Sequence, residues 1–170
     1  LDAIVSDEST PMSVMGIADA WLALLKSSDD GPLLPVARTL RALAVRHRSA
    51  GLPYFAGISL NNAMCVELAR GSYSDAVGLG RDALDQFSHL PVRTSELASM
   101  HSTLALSLAE SGNMQAAWDQ VDIALSVRRP QPDALGDVAW LAAAAGRPAL
   151  SWSCLRQAVR ILDYGHQELG

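Results

Sequence analysis

Gly71-Ser72-Tyr73-Ser74-Asp75-Ala76, followed by Ala83-Leu84, is the stretch that decides the fold, because two later parts of the chain repeat its spacing. In each copy a glycine is followed by a small residue five positions on and by an alanine twelve positions on. The other two copies are Gly112 with Ala117 and Ala124, and Gly146 with Ser151 and Ala158. The glycines are 41 and 34 residues apart, and a recurrence at such intervals indicates a helical repeat protein.

Each element of this pattern has a physical role. A glycine just past the end of a helix adopts the left-handed backbone conformation that turns the chain back on itself. The small residues at plus five and plus twelve are two helical turns apart, so they lie on one face of the second helix, where they let the first helix approach closely. The resulting hairpin keeps apolar flanks, which predicts that successive hairpins stack.

Helix breakers and apolar periodicity divide the chain into eight predicted helices. The helices are predicted over residues 11–27, 33–49, 53–70, 73–87, 94–111, 114–128, 133–145 and 148–163. They form the pairs 11–51, 53–88, 94–129 and 133–163 of a single domain, 11–170, after a leader segment, 1–10. No stretch shows strand alternation bounded by hairpin signals. The predicted fold class is therefore all-α, an α-solenoid of about four antiparallel helix pairs.

The stretch from Gly71 to Leu84 resembles the tetratricopeptide signature of a glycine, an aromatic residue two positions on and two spaced alanines. The copy at Gly112 matches without the aromatic residue, and the copy at Gly146 is weaker. The family's tryptophan in the first helix and its proline after the second are absent. The resemblance covers residues 52–163, and the pair 11–51 is assigned by helix length alone.

The resemblance implies protein or peptide binding. The repeats are also similar to the helical sensor regions of LuxR-type and related large ATP-binding bacterial regulators. That similarity implies a cytoplasmic interaction and regulatory module of a bacterial signalling or transcription-control protein, with the DNA-binding and nucleotide-binding parts elsewhere in the parent chain. The alternative is a small-molecule effector-sensing domain of such a regulator. Because Leu1 replaces an initiator methionine, we expect the chain to be part of a larger protein.

Composition and motifs argue against several other classes. With a net charge of −5, the chain lacks the positive electrostatic field that drives direct nucleic-acid binding. No apolar run reaches the ~20 residues that a membrane span needs. No nucleophile, phosphate-loop or metal-ligand motif is present, so we predict no catalytic, cofactor or metal site and no enzyme. Cys65 and Cys154 lie in apolar helical stretches, and we predict buried free thiols.

In tetratricopeptide repeats the first helix of each pair lines the concave face. Position in the repeat therefore implies seven candidate contacts for a partner or ligand: Ile58, Asn61, Cys65, Ser99, Ser102, Leu106 and Trp140. Without a basic residue, this set argues against a clamp for a peptide carboxylate. Trp140 is a candidate binding anchor, but we favour packing under a neighbouring helix, as for Trp21, Trp118 and Trp152.

Two further surfaces stand out. The predicted second helix carries a basic patch: Arg38, Arg41, Arg46, His47 and Arg48. We interpret it as a solvated face, and the alternative is a docking strip for an acidic partner domain. The last helix carries Val159, Ile161 and Leu162 near its end. Since a terminal repeat normally has a polar outer face, these residues predict homodimerisation, or contact with other domains of the parent chain, through an exposed terminal face.

Overall fold

The computed structural model describes residues 33–88, 90, 94–127 and 130–167, and every regular element in these ranges is an α-helix. The helices are α1 (Leu33–Ser49), α2 (Pro53–Ala69), α3 (Tyr73–Phe87), α4 (Thr94–Glu110), α5 (Met114–Ser126), α6 (Pro132–Ala144) and α7 (Pro148–Gln167). Their bounds lie within two residues of the prediction, except that α7 continues four residues further. The predicted leader 1–10 and helix 11–27 lie outside the described residues.

The turns inside the helical pairs share one hydrogen-bond pattern. At the end of α2, the Ser72 N–H donates to Glu67 O at 2.9 Å and the Gly71 N–H to Leu68 O at 3.0 Å. These two bonds define a Schellman turn, which requires a left-handed residue. Among the described residues, the glycines with positive φ are Gly51 (71°), Gly71 (75°), Gly112 (87°) and Gly146 (68°). The turn at Gly51 has the same two bonds, although it joins α1 to α2 and so lies between predicted pairs.

The chain forms two compact units, the first ending at Pro91 and the second beginning at Val92. In the first unit, α2 packs against both α1 and α3. Alanines of all three helices are fully buried: Ala37, Ala44, Ala56, Ala63, Ala76 and Ala83. Methyl side chains at the contacts allow the helices to lie close together, as the repeat pattern predicts.

At one end of the α2–α3 hairpin, a large aromatic side chain packs directly over a glycine. The Phe87 ring is buried and lies over Gly57, where an added Cβ would be 2.6 Å from Phe87 Cζ. The Tyr54 ring meets the Phe87 ring edge to face, with centroids 5.7 Å apart. This arrangement fixes how closely the start of α2 approaches the end of α3.

In the second unit, α4 packs against α5 and α6, and α6 packs against α7. The repeat positions face these contacts, since Ala117, Ala124, Ser151 and Ala158 are all buried. Asn113 caps α5 by accepting a hydrogen bond from the Ala116 N–H at 3.3 Å, and α6 begins with Pro132 in its first turn. Local signals therefore set where these helices start.

Candidate interaction surfaces

The predicted concave residues of the first unit lie along α2 with mixed exposure. Ile58 and Asn61 are half-buried, whereas Cys65 is exposed. The prediction of a buried Cys65 was therefore wrong, because the apolar pattern of α2 does not show which side of the helix is covered. Cys154 is buried and free, and loss of solvation raises the pKa of its thiol. Asn61 Oδ1 is buried without a hydrogen-bond partner among the described residues.

The predicted concave residues on α4 of the second unit differ in exposure. Ser102 is only 1% exposed, and its hydroxyl lies 2.8 Å from Asp137 Oδ2 on α6 and 2.9 Å from Ser99 O. Ser102 is therefore not a surface contact; it joins α4 to α6. Ser99 and Leu106 are half-buried, and Ser99 Oγ has no hydrogen-bond partner in the described part of the chain.

Trp140 is the most prominent side chain of α6, with 55% of its surface exposed. The interpretation that it packs under a neighbouring helix was therefore wrong. Its surroundings on that face are small: Gly136 lies one turn before it, and Ala143 is exposed three residues after it. A Cβ added at Gly136 would meet no atom within 4 Å. The indole thus stands beside an open notch on the helix surface.

The other tryptophans of the second unit have different environments. Trp152 on α7 is 65% exposed, which contradicts the expectation that it packs beneath a helix. Trp118 on α5 is half-buried, and the Arg147 guanidinium lies 3.9 Å from its ring centroid. That cation–π contact fastens the α6–α7 turn to α5. Trp21 lies outside the described residues.

A half-buried carboxylate, that of Asp137, lies at the junction of α4 and α6. Asp137 Oδ2 accepts hydrogen bonds from Ser102 and, at 3.2 Å, from Thr103. Loss of solvation raises the pKa of Asp137, with a further increase from the charge of Asp133, while the two hydroxyl donors oppose the shift. The group holds two helices together, and hydroxyl donors replace part of its hydration.

The basic patch predicted on α1 is only partly a solvated surface. Arg41 pairs with the buried Glu67 of α2 at 2.9 Å and with Asp75 of α3 at 3.2 Å, and Arg70 also pairs with Glu67. His47 is buried, with Nδ1 3.1 Å from Ser59 Oγ. Sequence reasoning missed this network because its members are distant in sequence. The consequence is that a charge cluster ties α1, α2 and α3 together.

Neither a metal-binding cluster nor a membrane-spanning helix is found among the described residues. No group of three or more His, Cys, Asp or Glu side chains there is placed to hold a metal ion. None of the helices in the described part of the chain has the length and apolar content needed to cross a bilayer.

Comparison with known proteins identifies the fold but no family. No protein-family model matches the chain, and no curated protein is similar to it in sequence. The crystal structure of BtubC (BKLC) from P. vanneervenii is similar, with a TM-score of 0.71 and 18% sequence identity over 97% of this chain and 71% of that one. The described part of the chain therefore has an all-helical fold that is similar to that of BtubC. The predicted all-α class is thereby confirmed.

A second solved structure, MamA, aligns over 84% of this chain and 85% of its own length. Its TM-score of 0.47 and sequence identity of 13% are too low to bear on the fold. At 18% sequence identity, the similarity to BtubC concerns architecture alone.

Proposed function

We propose that this chain is a protein-interaction and regulatory module of a larger bacterial signalling or transcription-control protein, without catalytic activity of its own. The observation that carries the proposal is Trp140, an exposed indole beside the open notch at Gly136. Tryptophan is enriched among the residues that dominate binding energy at protein interfaces. In the free protein the indole ring of Trp140 remains in contact with water. A partner side chain that fills the notch would remove part of the ring from water.

The charge around Trp140 indicates the kind of partner. Asp133 is exposed two turns before the indole, on the same helix, and Asp137 lies between them. None of the predicted concave residues of α4 and α6 is basic. An apolar segment flanked by neutral or basic residues fits this surface, and an acidic segment or a nucleic-acid backbone would be repelled.

Substitutions on either side of the notch test the proposal. Trp140→Ala removes the anchor, and Gly136→Leu fills the space beside it. Ile123→Ala, at another exposed apolar side chain, is the matched control. The immobilised chains are incubated with lysate of the source bacterium, and quantitative mass spectrometry compares the captured proteins. We expect both notch variants to lose the same partner by about tenfold or more, while the control retains it.

Equal capture by wild type and all three variants would overturn the proposal. The alternative of an effector-sensing domain has a separate signature. A metabolite that raises the melting temperature of the wild-type chain, without any partner lost from the notch variants, would favour that alternative. Circular dichroism of each variant checks that the helices are intact.

A further inference from the structure

The last described helix, α7, has two adjacent apolar faces, of which one is covered by other described residues and the other is exposed. Its buried face, Ser151, Cys154 and Ala158, belongs to the α6–α7 hairpin. Beside it lies a second row, which we call the α7 stripe, with exposed fractions given in brackets: Trp152 (65%), Leu155 (41%), Val159 (55%) and Leu162 (54%). A solvated helix would carry polar side chains at these positions.

The repeat shows that one residue of the α7 stripe, Leu155, occupies a packing position. Leu155 is nine residues after the turn glycine Gly146, and Val121 is nine residues after Gly112. Val121 on α5 is 1% exposed. The next helix, α6, contacts α5. The same register of the repeat is therefore covered on α5 and open on α7 in the described part of the chain.

The spacing and size of the α7 stripe favour a second copy of this chain as its occupant. The intervals of three, four and three residues are those of a heptad seam, which can pack against another seam of the same spacing. The four side chains expose on the order of 400 Å² of apolar surface, which is within the range of the largest apolar patch on a monomer, a patch that is often functional. Two such stripes with their polar border would bury on the order of 1,000 Å², the lower limit for a specific interface.

The charges bordering the α7 stripe do not oppose such pairing. Between Pro148 and Asp163 the helix carries Arg156, Arg160 and Asp163, a mixture of signs. We propose that the α7 stripe packs against the α7 stripe of a second copy across a twofold axis, forming a homodimer of micromolar affinity. This inference goes beyond the proposed function and does not depend on the notch at Trp140.

Two glutamate substitutions on α7 test the pairing. Val159→Glu places a charge within the α7 stripe, and Gln157→Glu places the same charge on an exposed side chain outside it. Sedimentation velocity from about 1 to about 200 µM measures the dissociation constant of the wild-type chain and both variants. We expect a wild-type dimer, a constant raised at least about tenfold by Val159→Glu, and no change in Gln157→Glu.

Hydrogen exchange locates the interface independently of the substitutions. The amides of residues 150–163 should become more protected as wild-type concentration rises, and those of Val159→Glu should not. A wild-type chain that stays monomeric throughout would overturn the proposal, and the α7 stripe would then serve a different helix. A dimer that forms equally well with Val159→Glu would also overturn it. Neither result bears on capture of a partner at Trp140.

Discussion

Substitution of Gly57 by alanine tests whether the Gly57–Phe87 contact sets the spacing of α2 and α3. The new Cβ would lie 2.6 Å from Phe87 Cζ and closer still to Cε2. Phe87 is only 3% exposed and meets the Tyr54 ring, so its ring cannot move aside without displacing other side chains. Overpacking of this kind costs about 1–3 kcal/mol.

The change also has a favourable part, because alanine in a helix interior is about 1 kcal/mol better than glycine. We therefore expect Gly57→Ala to lower the free energy of unfolding by about 1 kcal/mol in total. Gly78→Ala on α3 is the matched control, since its Cβ meets nothing within 4 Å. It should raise the free energy of unfolding by up to about 1 kcal/mol.

Urea unfolding followed by circular dichroism measures both effects. The decisive comparison repeats Gly57→Ala in a Phe87→Leu background, in which the smaller side chain leaves room for the methyl group. There the substitution should become neutral or stabilising, so the coupling between the two sites should be at least about 1 kcal/mol. If Gly57→Ala stabilises the wild type as much as Gly78→Ala does, the contact does not limit the helix spacing.

Two further predictions concern the carboxylates of Asp137 and Glu67. Burial raises the pKa of Asp137 above the ordinary value of 3.8, so the protonated carboxyl favours the folded state. The contribution of this group to stability is present below pH 3.8 and is lost as pH rises through the folded-state pKa. Asp137→Asn keeps an acceptor for Ser102 and Thr103, and in urea titrations it should therefore be at least as stable as wild type at pH 7, with a smaller advantage at pH 4. Glu67→Ala should lower the free energy of unfolding by about 2 kcal/mol, because a buried acceptor of two arginines is lost. Asp75→Ala, at a 60% exposed side chain, should change it by no more than about 0.5 kcal/mol. Equal losses for the two variants in thermal melts would refute this ranking.

Most of the helix boundaries in the described ranges could be predicted because their signals are local. A glycine at a left-handed turn acts within a few residues, so Gly71, Gly112 and Gly146 locate the ends of helices from the sequence alone. The buried alanines followed from the same register. These are properties of one helix and its turn, independent of what packs around it.

The interaction surfaces were harder to predict, because exposure depends on which neighbours cover each helix face. Trp140 and Trp152 have apolar side chains in apolar helices, and periodicity alone favoured burial for both. Ser102 was placed on the concave face by its repeat position, but Asp137, 35 residues away, pairs with its hydroxyl. Contacts between residues so far apart leave no pattern in a single sequence. Only the three-dimensional arrangement shows them.

The fully buried alanines of the first unit have a consequence for how this sequence can diverge. Removing a methyl group leaves a void no larger than that group, and loses about 1 kcal/mol. Adding two or three carbons at Ala63 or Ala76 instead overpacks a close-packed contact between helices. Neutral drift at these sites should therefore be confined to glycine, serine and alanine, while the exterior of the same helices varies freely.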